Sequence, residues 1–213
     1  MPPERQPWES VHLSELASLK GPGTLRWSPV RRRFGITAFG TSAYTATEAG
    51  RDVVEEHTEE TLGHEELYVV VAGRATFVLD GEEKDVPAGS VVFLRDPKVK
   101  RYARAEEPGT TVLAIGGKPG SHDISAWEYF FTAYGVVDED PERAVAELQA
   151  GLVELPDHPA LHFHLACIYT RTGRLDEARI ELARAIELDP KFQKWADEDE
   201  DLQPLRASDA TKP

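Results

Sequence analysis

The period of apolar and polar positions changes once along this chain. Between Leu25 and Gly117 the apolar, β-branched and aromatic residues come in short runs, FGITAFG, SAYTATE, ELYVVVAG, RATFVLDG, SVVFLRD and TTVLAIGG, separated by glycine and proline. Such runs predict short strands, and many short strands joined by tight turns predict a β-sandwich or barrel. Between two of them, Asp80-Gly81 predicts a two-residue hairpin, because a type I′ turn needs positive φ at both central positions. Past Gly116-Gly117 and Lys118-Pro119-Gly120 the apolar positions recur at helical spacing, so this glycine and proline cluster marks a domain boundary. Ahead of the strands, ESVHLSELASL (9–19) carries Val11, Leu13, Leu16 and Leu19 at mixed spacing, which predicts a short helix or strap against the barrel with Ser10 as its N-cap.

The helical part repeats itself. AVAELQAGLVELP (144–156) and ARIELARAIELDP (178–190) align at a spacing of 34 residues, matching Ala144 with Ala178, Leu148 with Leu182 and Pro156 with Pro190. That is the tetratricopeptide period. The second copy resembles this family at Leu165, Ala166, Tyr169, Gly173, Ala178, Leu182, Ala185 and Pro190, and the first is a degenerate copy with Tyr129, Phe130 and Ala133 on its core face. The expected organisation is therefore α+β with two domains. An N-terminal strap (1–24) leads into an antiparallel barrel (25–118). An all-α tetratricopeptide-like array (123–205) follows, with repeats at about 123–156 and 157–190 and a closing acidic helix at 192–205. Two copies are fewer than an isolated stack needs, so the array is expected to lean on the barrel or on another subunit.

Charge narrows the function classes. The net charge of −14 is uneven: residues 1–122 carry 18 acidic and 15 basic side chains, whereas 123–213 carry 20 and 9. This opposes binding to nucleic acid or to anionic membrane, both of which need a positive surface. Cys167 is the only cysteine, which excludes a disulfide framework and a cysteine-based zinc site. Neither a basic segment leading an apolar run nor a membrane-length apolar stretch occurs, so a cytoplasmic protein is expected.

The strand region resembles the cupin superfamily at its two motifs. Gly50, His57, Glu66 and Gly73 match the frame of the first, and Gly81, Pro87 and Gly89 match the second. The resemblance implies a jelly roll, or double-stranded β-helix. It also implies a cavity in which two histidines and a glutamate from the first motif, with a histidine from the second, hold a divalent metal such as Zn, Fe, Mn or Ni. This chain departs from that pattern. Val92 stands at the second-motif histidine position, and the His-x-His pair reads His57-Thr58-Glu59 with a lengthened loop before Glu66. The remaining candidate ligands are His57, Glu59, His64 and Glu66, with His64 and Glu66 able to share a strand face. The other reading is an apolar cavity that has given up metal, with Glu66 bonded to backbone or to an arginine.

Arginines and lysines gather near the second motif, at Arg95, Lys98, Lys100, Arg101 and Arg104, with Arg31-Arg32-Arg33 earlier. Guanidinium groups bind carboxylate and phosphate bidentately, so Arg95 and Arg101, with Tyr102 and Trp27 as cavity aromatics, are candidates for holding a small anionic ligand. The alternative is that these cations offset the acidic helical part. Three functions stay open: a binding module for a small ligand or a metal, whose helices serve protein interaction or self-association; a divalent-metal enzyme of the dioxygenase or isomerase class; and a dimerisation platform. A homodimer is expected under each.

Overall fold

A computed structural model describes residues 10–20 and 26–210. The remainder of the strap expected over 1–24, and Leu25, lie outside the described residues. The chain divides into two compact units, residues 1–122 and 123–213.

The first unit opens with a three-residue 3-10 turn, Leu13–Glu15, whose first N–H groups are capped by His12 rather than by Ser10: His12 Nδ1 accepts from Ser14 N. Ten strands and one short helix follow: β1 (Leu19–Lys20), β2 (Arg26–Ser28), α1 (Val30–Phe34), β3 (Gly40–Thr45), β4 (Asp52–His57), β5 (Glu65–Ala72), β6 (Arg74–Leu79), β7 (Glu82–Pro87), β8 (Val91–Leu94), β9 (Arg101–Ala105) and β10 (Thr111–Gly117). They form two antiparallel sheets, ordered β1-β2-β3-β10-β5-β8 and β4-β9-β6-β7. From β3 onward the chain crosses repeatedly between the two sheets, which is the jelly-roll path. The FGITAFG run differs from its expectation. Arg31–Phe34 continue a helical turn that Gly35 ends at φ 68°, and the strand begins only at Gly40.

Burial follows the period of two along β3, β5, β6, β9 and β10. On β5, Tyr68 and Val70 point into the core, and on β9 Arg101, Ala103 and Ala105 do. Apart from Arg101, these residues meet Val53, Val54, Phe77, Leu94, Val112 and Ala114 in one cluster that both sheets share. The Asp80-Gly81 turn closes the β6–β7 hairpin with φ of 49° and 88°, the positive pair that its sequence predicts. A single residue, Gly73, separates β5 in one sheet from β6 in the other. Its φ is 72°, and a Cβ there would lie 2.4 Å from Thr110 Oγ1 and 2.8 Å from Thr110 Cα. Thr110 cannot retreat, because it is fully buried and its hydroxyl donates to Glu107 O at 2.7 Å.

The second unit is helical: α2 (Ala126–Val136), α3 (Pro141–Glu154), α4 (Pro159–Arg171), α5 (Leu175–Leu188), α6 (Lys191–Glu198) and α7 (Gln203–Ala210). Successive helices α2 to α5 pack antiparallel neighbour on neighbour. The repeat explains how they approach: Ala133, Ala144, Ala166, Ala178 and Ala185 are fully buried, with Leu148, Leu161 and Leu165 filling the space between. Gly151 occupies the place of Ala185 one repeat earlier, and the Tyr129 ring stands where its Cβ would be, 2.7 Å away. The single acidic helix expected over 192–205 is instead broken. Asp199 turns extended, its carboxylate accepts from Asp201 N at 2.9 Å, and a 3-10 turn (Glu200–Leu202) leads into α7. Carboxylates crowded at a helix C-terminus oppose its dipole, so the chain leaves the helix there. Leu202 and Leu205 then return to the core. Among the described residues no helix is long and apolar enough to cross a membrane.

Two outcomes follow. Gly73→Ala is expected to lower stability by about 3 kcal/mol, combining an unfavourable left-handed φ with overpacking against Thr110, read from urea unfolding followed by circular dichroism. His164 lies against Phe130 at 4.3 Å between ring centroids, and its burial lowers its pKa to about 4. The unfolded chain takes up that proton near pH 6.5, so stability present above this value is lost as pH falls toward 4. Between pH 7.5 and 5.5 the native protein should lose about 1 kcal/mol more than His164→Leu does.

Candidate functional site

Between the sheets of the first unit lies a cavity of about 230 Å³, lined among others by Tyr44, His57, Glu59, Glu66, Tyr68 and Ala114. Each wall has a local cause. Glu66 and Tyr68 are two apart on β5, so alternation points both inward. Gly116 faces Glu66 across β10, and a Cβ there would come within 3.3 Å of Glu66 Cγ, so the glycine leaves room for the carboxylate. On β4 the register shifts on both sides of Val54, and the strand ends with His57 opposite Arg101 of β9. The loop that follows folds on Glu59. Its N–H donates to Pro97 O at 2.9 Å, and its carbonyl accepts from Gly63 N at 2.7 Å.

Three side chains converge. His57 Nε2 lies 3.7 Å from Glu59 Oε1 and 3.7 Å from Glu66 Oε2, and one ligand atom from each residue falls within 4.8 Å of the others. The other ring nitrogen, His57 Nδ1, is 2.6 Å from the carbonyl of Glu55. A carbonyl only accepts, so Nδ1 carries a proton and the Nε2 lone pair faces the two carboxylates whenever the ring is neutral. Glu66 Oε2 also accepts a 2.5 Å hydrogen bond from the Tyr68 hydroxyl and lies 3.7 Å from Arg101 Nε.

These neighbours set the protonation of the site. The facing Glu66 carboxylate raises the His57 pKa above 6.5, against burial, which lowers it. Burial pushes Glu66 up, but His57, Tyr68 and Arg101 together outweigh it and hold the carboxyl below 4.5. Burial and the adjacent Glu66 carboxylate push Tyr68 well up, so it remains a donor.

The structure treats the sequence candidates unequally. It brings His57, Glu59 and Glu66 together, while His64 stands at the rim with Nδ1 3.8 Å from Glu59 Oε2 and outside the convergent trio. Val92 is opposite Tyr68 on β8, packed against the core, where it offers no ligand. Arg101 is fully buried beside the site. Tyr102 alternates with it and so faces the other side of β9. Arg95 is exposed, over the Phe93 ring at 5.4 Å. Trp27 pairs with Tyr44 across β2 and β3 but does not line the cavity. Sequence reasoning missed Tyr44 and Tyr68, although the i,i+2 spacing of Tyr68 from Glu66 carried that signal.

In the second unit, His162 and His164 diverge on α4 as a two-residue helical spacing requires. His162 Nδ1 is 2.6 Å from Glu181, whereas His164 is stacked among aromatic rings. Cys167 is buried in the helical core, and burial raises its pKa. Residues 138–197 match the family model of the tetratricopeptide repeat. This tetratricopeptide segment spans α3 to α5 and most of α6, and α2 precedes it.

For the first unit, similar solved structures include a cupin protein from Bacteroides fragilis (20% identity, 57% of this chain and 92% of that one, TM-score 0.43). Another is an RmlC-like cupin from Desulfovibrio desulfuricans (22% identity, 52% and 96%, TM-score 0.42). A third is a protein from Silicibacter pomeroyi described as a sugar phosphate isomerase from a cupin superfamily (15% identity, 52% and 76%, TM-score 0.43). No curated protein matches the chain.

Removing the Tyr68 hydroxyl strips a part-buried carboxylate of its shortest donor. Tyr68→Phe is expected to cost about 2 kcal/mol at pH 7, measured by urea unfolding. Glu66 has a depressed folded pKa, so this stabilisation is present above pH 4.5 and is lost as pH falls through the folded value. The difference between Tyr68→Phe and the native protein should shrink accordingly in acid.

Proposed function

We propose that the jelly roll is a binding module that holds one divalent cation on His57, Glu59 and Glu66, with space for a small ligand beside it, and that the tetratricopeptide helices engage a protein partner. The observation that carries this reading is the position of His57. One ring nitrogen is committed to a backbone carbonyl, and the other faces two carboxylate oxygens, each 3.7 Å away. A hydrogen bond on the second nitrogen is the usual way a metal-binding histidine is oriented. Ligand atoms around a shared cation at about 2.1 Å are spaced on this scale. Glu59 Oε2 adds support, since it is buried with no hydrogen-bond partner among the described residues.

The donor set, one imidazole and two carboxylates, suits Zn, Mn, Fe or Ni better than a thiophilic ion. Such an ion would supply Lewis acidity, and Val92 in place of a further histidine leaves part of its coordination open. That open side is equally what a metal-dependent dioxygenase or isomerase needs, and it supports an enzyme as the second reading.

Elemental analysis of the full chain, purified without chelator and equilibrated with Mn²⁺ or Zn²⁺, tests the first reading. About one ion per chain is expected, with His57→Ala and Glu66→Ala each losing at least about tenfold in affinity. Metal at background in the native protein would overturn it.

A further inference from the structure

Arg101 is the buried charge that the cation site leaves unexplained. Its side chain is fully buried, and none of its three guanidinium nitrogens has a hydrogen-bond partner among the described residues. The closest carboxylate oxygen, Glu66 Oε2, is 3.7 Å from Nε, beyond hydrogen-bond length. A guanidinium carries five N–H donors and cannot shed its proton, so burial without acceptors is strongly unfavourable. Arg101 sits behind the cavity wall. It is the register partner of His57, and Glu66 Oε2, which it approaches, is the atom that Tyr68 also holds.

The charge balance around this point favours an anion. A divalent cation would be balanced by Glu59 and Glu66 with His57 neutral, and Arg101 then adds an uncompensated positive charge away from water. Glu55 also lines the cavity, but it is exposed, so solvent and salt weaken its effect. Lys100, next along the chain, is exposed and paired with Glu56 at 2.8 Å. At about 30 Å³ per water, the cavity of about 230 Å³ has the volume of about eight waters, which limits any guest to a small molecule.

We propose that the cavity, with its cation in place, takes a small oxyanion, a carboxylate or a phosphate, and that Arg101 supplies the charge and the donors that select it. The proposal rests on His57, Glu59 and Glu66 holding the cation. Without the cation the two carboxylates dominate, and no anion enters. Arg101 acts on the anion from behind the wall, by its charge and through a bridging water, because its nitrogens are unpartnered among the described residues and Nε lies 3.7 Å from the cation ligand Glu66.

The test uses the full chain and calorimetry. Mn²⁺ is titrated first into the native protein and into Arg101→Gln. Lactate, its neutral counterpart lactamide, and inorganic phosphate are then titrated into the Mn²⁺-loaded and the metal-free forms. The expected result is that loaded native protein binds lactate or phosphate at least tenfold more tightly than lactamide, and that metal-free protein binds neither anion. Arg101→Gln should keep Mn²⁺ and lose at least tenfold in anion affinity. Binding of lactate alone would assign a carboxylate, and of phosphate alone a phosphate; either supports the proposal. Equal anion affinity in native protein and Arg101→Gln overturns it, as does lactamide binding as well as lactate, or no anion binding to the loaded protein. If the native protein takes up no Mn²⁺, the cation reading fails before any anion is added, and the proposal falls with it. If Arg101→Gln does not fold by circular dichroism, Arg101→Lys decides. It keeps the charge without the planar fork, and a lactate and phosphate affinity unchanged in that variant overturns the proposal.

Discussion

A carboxylate enclosed between two sheets is tolerated only where donors surround it, and in this jelly roll the donors converge on one oxygen, Oε2 of Glu66. The Tyr68 hydroxyl donates to it from the same strand, and His57 and Arg101 face it at 3.7 Å from the opposite sheet. The register of three strands is therefore tied to one charge. A one-residue slip of β5 would turn Glu66 and Tyr68 outward together, and a slip of β9 would exchange Arg101 for Tyr102. The same alternation that buries Val70, Ala103 and Ala105 thus also places the polar groups, and packing and site chemistry are set by one pleat.

Much of this architecture is legible in the sequence, because turns announce themselves. Gly50, Gly73, Gly81 and Gly89, the glycines on which the cupin resemblance rests, all have positive φ in the structure, so the resemblance is carried by backbone geometry as well as by His57 and Glu66. Strands dominated by charge were harder to see. β4 reads DVVEEH and β9 reads RYARA, and neither shows the clean alternation of apolar and polar residues that marks a half-buried strand. Their inward positions include His57 and Arg101, and a pattern search discounts a strand for carrying such residues. Tyr102 is the one aromatic of β9, yet its smaller neighbours, with Arg101, face inward.

The helical unit was easier to read, because its spacing is enforced by contact between helices. Alanines recur at 34-residue intervals where backbones approach, and large side chains recur where they do not. The departures are local. Gly151 stands in for an alanine because Tyr129 fills its place, and the acidic stretch at 197–201 turns out of helix once Asp199 finds a backbone N–H to cap. Both depend on a partner several residues or a whole helix away, and composition alone does not reveal it.

The single-residue link at Gly73 has a mechanical consequence. With no slack between β5 and β6, and Thr110 filling the space against it, the two sheets are clamped at that end. Glu66 lies at the other end of β5, seven residues away and so about 23 Å distant along the strand. The sandwich is then pinned like a pair of tongs at Gly73, and the hinge leaves the most freedom at the His57–His64 end, where the cavity is.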